Sequence, residues 1–174
     1  VLEQCVEGRK LGSGPFSVTD TVEVLRQLCN ALAELHRLGI VHRDVKPEHL
    51  LLDEQGKLYL LDLDAARLYK SYVDHDTCIL GTTGFAAPEQ FGIVQTDHRA
   101  DIFALGITLN VLLTGRHPSE QLCSGWLRHV VVKCTKIDPK ARYQTVQTVW
   151  YAAMPQKALS WLNDAKYPYR RPKL

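Results

Sequence analysis

The chain has 174 residues, 45% of them hydrophobic and 23% charged, with a formal net charge of +2. That is the make-up of one ordinary globular domain, and so small a charge, with no Lys/Arg run interleaved with aromatics, excludes a strongly basic nucleic-acid binder as the expected class. Cys5, Cys29, Cys78, Cys123 and Cys134 are scattered and form no C-x-x-C pair, which fits free thiols in a reducing, cytoplasmic setting, and no apolar run has the length of a membrane span.

In chain order, residues 1–8 read as the tail of a strand entering a glycine turn. Because the first residue is valine and nothing precedes it to pair with, the start is expected to be incomplete. Residues 17–21 offer several N-cap candidates, and Asp20 with Glu23 has capping-box spacing. Val22, Leu25, Leu28, Cys29, Leu32 and Leu35 then recur at steps of three and four up to Leu38-Gly39, which predicts one amphipathic helix closed by a C′ glycine.

Two apolar runs, 50–52 and 58–61, flank Asp53-Glu54-Gln55-Gly56, a turn sequence that makes them a hairpin. Residues 65–88 have little periodicity and are expected to be a long irregular segment. The stretch 101–113 is apolar on nearly all sides and stops at Thr114-Gly115, the pattern of a buried central helix. Further helices are predicted at 126–136 and 145–154, separated by Asp138-Pro139. A helical turn near 158–163 and then disorder are expected in the tail from Pro155.

The chemistry-bearing stretch is Ile40 to Leu52, which reads as strand, polar loop, strand, with the next strand delivering Asp62 to the same edge. Asp44, Lys46 and Asp62 then form a phosphate-and-metal constellation, one carboxylate to orient a hydroxyl and one to hold a divalent ion. The alternative is a polar hairpin whose Asp and Lys are solvated turn residues, and spacing does not choose between them.

The surrounding motifs do choose. His42-Arg43-Asp44-Val45-Lys46-Pro47-Glu48 matches H-R-D-x-K-P-E, Asp62-Leu63-Asp64 stands at D-F-G, and residues 81–89, GTTGFAAPE, match the segment that ends in A-P-E. Asp101 with Gly106 matches D-x-W-x-x-G, Phe103 replacing tryptophan, and Arg142 stands where an arginine pairs with the A-P-E glutamate, here Glu89. The chain thus resembles the C-terminal lobe of a eukaryotic-type (Hanks-type) serine/threonine protein kinase, in finer detail those of Gram-positive bacteria. The fold this implies is α+β, mainly helical, a protein-kinase-like C-lobe with small β-hairpins and without the N-lobe sheet, over residues 1–154, followed by a tail at 155–174.

The resemblance implies ATP and Mg²⁺ as cofactors and a protein as substrate. Asp44 would orient the substrate hydroxyl, Lys46 would contact the transferred phosphoryl group, and Asp62 would hold Mg²⁺. Gln4 to Val6 would be the hinge on adenine, with Leu51 beneath the ring. Thr82 would bond to Asp44 and Lys46. Arg43 beside the catalytic aspartate implies control by activation-loop phosphorylation, with Thr77 and then Thr83 as candidate sites.

Some positions depart from the pattern. His49 replaces an asparagine that binds the second metal, which is expected to weaken Mg²⁺ there and to admit Mn²⁺. Asp64 replaces glycine, which restricts the backbone there or adds negative charge near the ions, and the sequence does not sign the net effect. No G-x-G-x-x-G turn or V-A-I-K lysine occurs in the chain, Gly12-Ser13-Gly14 being too short, so residues 1–174 by themselves are expected not to transfer phosphate. The two main readings are a serine/threonine kinase completed by an N-lobe or partner protein, and a pseudokinase or truncated gene product that acts as a binding module. A third is a poorly folding remnant with bare apolar surface near Val1, Leu51 and Leu61.

Overall fold

The computed structural model describes residues 7–12, 14–69, 82–92 and 96–154. The expectations for Gln4, Val6, Thr77, Cys5, Cys78, most of the strand at 1–8 and the tail from 155 lie outside the described residues. In chain order the elements are β1 (Arg9–Lys10), α1 (Val18–Arg37), β2 (Ile40–Val41), β3 (Leu50–Leu52), β4 (Leu58–Leu60), β5 (Arg67–Leu68), α2 (Arg99–Thr114), α3 (Leu127–Cys134) and α4 (Val146–Ala153). Short 3₁₀ turns occur at Pro47–His49, Pro88–Phe91 and Pro139–Ala141. The fold is mainly helical with small antiparallel sheets, as the resemblance implies.

Helix α1 buries Thr21, Val24, Leu25, Leu28, Cys29, Leu32 and Ala33, the stripe expected from an apolar period near 3.6. Its cap is Ser17, three residues before the Asp20–Glu23 pair: Ser17 Oγ accepts the Asp20 amide at 3.1 Å and donates to the Asp20 carboxylate at 2.7 Å. A hydroxyl can do both at once, whereas Glu23 is engaged by Arg26 and Gln27 farther along the helix. The chain leaves α1 through Gly39, whose φ of 72° a side chain would oppose.

The predicted hairpin is β3–β4, in the register Leu50–Leu60, Leu51–Tyr59 and Leu52–Leu58. Its turn is tied by Asp53 Oδ1, which accepts the Gln55 and Lys57 amides at 2.9 Å. Two pairings differ from expectation. Arg9–Lys10 adds an outer strand to β3, giving the order β1-β3-β4, and β2 pairs not with the hairpin but with β5. The segment 65–88 therefore holds a strand at its start. Two-residue strands carry no alternation for a sequence to display, so long-range register alone reveals them.

Helix α2 is buried along almost its whole length and packs against α1 and α3, while α4 closes on α1 and α3. Gly115 ends it at φ 72°, its N–H bonded to Val111 O at 2.8 Å. Buried Asn110 orders the following loop through Arg116 O, Gln121 O and the Cys123 amide. Gly106 lets α2 approach α3, since a Cβ there would overlap the Cβ of Cys134. Gly106→Ala is expected to cost about 1–3 kcal/mol by overpacking. In urea denaturation Cys134→Gly should recover part of that loss, and Cys134→Ala, which keeps the offending Cβ, should not.

Leu51 is buried, at 8% exposure. Packing beneath Gly8 and against β1 covers it, which removes the expectation of bare apolar surface at that position. Among the described residues no helix is long and apolar enough to cross a membrane.

Candidate active site

The stretch from β2 to β3 takes its shape from one fully buried carboxylate. Asp101, in the first turn of α2, accepts the His42 amide at 2.9 Å and the Arg43 amide at 2.7 Å, and His36 Nε2 lies 2.8 Å from its Oδ2. These bonds hold Arg43 at φ 69°, a left-handed conformation that is costly for a side chain of this size. Farther along, Thr108 Oγ1 donates to Val45 O at 3.2 Å. Helix α2 thus templates the loop from below.

His42 is buried. Its Nε2–H donates to Leu61 O at 3.2 Å, and its Nδ1 accepts the Asp44 amide at 3.4 Å. A ring with one donor and one acceptor nitrogen is neutral, and burial pushes its pKa down against the opposing influence of Asp101. The Leu61 amide in turn bonds to His49 O at 2.8 Å. That extra rung past β4 brings Asp62 beside the loop that carries Asp44.

Asp44, Lys46 and Thr82 form a closed set. Thr82 donates to Asp44 Oδ1 through its hydroxyl at 2.7 Å and its amide at 3.1 Å, Lys46 Nζ donates to Thr82 Oγ1 at 2.6 Å, and Lys46 Nζ lies 2.9 Å from Asp44 Oδ2. Burial raises the Asp44 pKa, but the Thr82 and Lys46 bonds outweigh it and hold the carboxyl below its ordinary value. The carboxylate is ionised at neutral pH, and the stability it contributes is lost as pH falls through the acid range.

His49 sits between the two acidic residues. Its Nδ1 is 2.9 Å from Asp44 O and 3.4 Å from Asp44 Oδ2, and its Nε2 is 3.2 Å from Asp62 Oδ2. Asp62 is the more open carboxylate, at 44% side-chain exposure, and occupies left-handed backbone at φ 67°, which aspartate tolerates better than most residues. Asp64 is not among the described non-glycine residues at positive φ. Replacing glycine there therefore imposes no left-handed strain, and its amide bonds to Asp62 Oδ1 at 3.2 Å.

The far end of the segment from Thr82 is held by Arg142, whose guanidinium meets Glu89 in a two-pronged pair at 2.6 and 2.8 Å. Thr83 is exposed. Three supporting residues escaped the sequence reading: His36 on Asp101, Gln90 linking the Ala87 amide to Arg43 O, and His117, whose Nε2 lies 2.9 Å from Gly84 O. None stands in a pattern that spacing reveals, because each partner is more than 30 residues away or, at Ala87, a local backbone group.

The family described as protein kinase domain matches residues 1–160. The chain belongs to the protein kinase family. Among curated kinases it is 30% identical over 176 aligned positions to serine/threonine-protein kinase PrkC of Bacillus subtilis, covering 84% of this chain and 27% of that protein. It is 38% identical over 106 positions to serine/threonine-protein kinase PknL of Mycobacterium tuberculosis, covering 60% of this chain and 27% of that protein. A probable serine/threonine-protein kinase of Clostridium perfringens is 28% identical over 180 positions, covering 86% of this chain and 26% of that protein. The chain thus spans about a quarter of the length of these bacterial kinases, Gram-positive sources among them.

Proposed function

We propose that this kinase chain carries the catalytic loop of an enzyme that transfers the γ-phosphoryl group of ATP to a serine or threonine hydroxyl of a protein. The observation that carries this reading is the Asp44–Lys46–Thr82 set, facing Asp62 across His49. Asp44, ionised and fixed by three donors, orients the incoming hydroxyl and accepts its proton. Lys46, already beside Asp44, meets the charge of the transferring group, and Thr82 holds both in register with a bound peptide.

The open carboxylate of Asp62 fits a hard divalent cation such as Mg²⁺, whereas the imidazole of His49 fits it poorly. When bound, the ion neutralises phosphate charge. Leu51 is assigned to the floor of the adenine site, with Gln4 and Val6 as its hinge, and Thr77 and Thr83 are assigned as phosphorylation sites answering to Arg43. The imidazole against Asp62 also favours a second reading, a pseudokinase that binds protein without transfer.

The test expresses both residues 1–174 and the full open reading frame that contains them, with labelled ATP, Mg²⁺ or Mn²⁺, and a basic protein acceptor. Transfer by the full-length product that drops about 10²–10⁴-fold in Asp44→Asn supports the enzyme. Equal transfer by parent and Asp44→Asn would overturn the assignment of Asp44, and no transfer from any form would favour the binding module.

A further inference from the structure

The turn that carries Thr82 is pinned from outside by an imidazole. Thr82 O accepts the Phe85 and Ala86 amides at 2.9 Å. Gly84, at φ 90°, lies inside this turn, and its carbonyl oxygen is 2.9 Å from His117 Nε2. A carbonyl only accepts, so Nε2 carries the hydrogen whether the ring is neutral or charged. The bond joins groups 33 residues apart in the chain.

The loop that presents His117 is braced independently of Gly84. Buried Asn110 donates to Arg116 O at 2.9 Å and to Gln121 O at 2.8 Å, and Thr114 Oγ1 donates to Arg116 O at 3.0 Å. His117 O accepts the Glu120 and Gln121 amides at 2.9 and 3.0 Å. On the ring, Nδ1 accepts the Ser119 amide at 3.2 Å and lies 2.7 Å from Ser119 Oγ. Backbone and ring are thus both oriented by local bonds, so little further side-chain freedom is lost in reaching Gly84. Helix α2, which carries Asp101 under the catalytic loop, also carries the Asn110 that shapes this strut.

We propose that His117 is a positioning residue for the protein acceptor: acting through Gly84, it steadies the Thr82 turn and with it the aim of Thr82 at Asp44 and Lys46. Thr82 donates to Asp44 Oδ1 through hydroxyl and amide and accepts from Lys46 Nζ, so displacement of the turn is felt at both. The Arg142–Glu89 pair fixes the far end of the same segment, and His117 fixes the near end. The consequence for turnover rests on the phosphoryl-transfer reading above; the loosening of the turn does not.

Two substitutions separate the bond to Gly84 from the local turn at Ser119. In His117→Gln the side-chain amide can place an N–H where Nε2–H stands. In His117→Asn the shorter side chain can still accept the Ser119 amide, as Asx turns do, but falls short of Gly84. Hydrogen exchange on the 174-residue chain is expected to show the Phe85 and Ala86 amides about 3–10-fold faster in His117→Asn and His117→Ala, the effect of one lost neutral hydrogen bond. His117→Gln should stay within about twofold of the parent, and exchange in α2 and the circular-dichroism melt should not change in any variant. In the full open reading frame product, KM for the protein acceptor should rise about 3–10-fold in His117→Asn with KM for ATP unchanged, and His117→Gln should restore it. Parental exchange at Phe85 and Ala86 in His117→Asn and His117→Ala, exchange as fast in His117→Gln as in His117→Ala, or a KM for ATP that rises in step with that for the acceptor would each overturn the role. Absence of transfer from every form counts against the kinase reading alone, because the exchange rates still decide whether His117 holds the turn.

Discussion

Arg142→Ala is expected to lower the free energy of unfolding by about 3–5 kcal/mol, the cost of stranding one member of a buried ion pair. The side chain is fully buried and donates five hydrogen bonds: two to Glu89, and one each to Lys136 O, Ile137 O and Arg99 O. Its guanidinium also lies 4.8 Å from the centre of the Phe103 ring. Alanine leaves the Glu89 carboxylate without its cation and three carbonyls without their donor. Arg142→Lys keeps the charge but not the planar fork, so it should recover less than half of the loss. Urea denaturation followed by circular dichroism measures both. A change below about 1 kcal/mol for alanine, the level of an exposed pair, would show that the pair does not hold the segment from Thr82 against the helical core.

A comparable effect, with a more local signature, is expected at Asp101. Its carboxylate satisfies two backbone amides that have no water to turn to. Hydrogen bonds to a charged group contribute about 1.5–3 kcal/mol each, so Asp101→Ala should cost about 3–5 kcal/mol. Asp101→Asn keeps one acceptor oxygen and should cost about half as much by the same reckoning. The specific readout is hydrogen exchange: protection should fall at His42 and Arg43 before it falls in α1. If those amides exchange as slowly in Asp101→Ala as in the parent, Asp101 is not what holds Arg43 in its left-handed conformation.

Much of this architecture could be read before any fold was known. The stripe of α1 and the continuous apolar run of α2 belong to long elements in which many residues repeat one instruction. The hairpin turn was legible because Asp53 and Gly56 act locally. Strands β1, β2 and β5 were not, because two-residue strands exist only by virtue of distant partners. The N-cap of α1 went to Ser17 for a similar reason: several adjacent residues could cap, and the direction from which the chain arrives decides which one does.

The candidate site divides along the same line. Sequence by itself determined the family and singled out Asp44, Lys46, Asp62, Thr82, Glu89 and Arg142 as candidates, because motif spacing is a local property that survives without coordinates. The role of His36, the support from Gln90 and the absence of left-handed strain at Asp64 were decided only by the tertiary structure, through groups brought together across tens of residues. His49 shows the division most plainly. The substitution for asparagine is visible in the sequence, but only the extra Leu61–His49 rung past the hairpin brings its second nitrogen to Asp62, and that placement turns an altered residue into a bridge between two carboxylates.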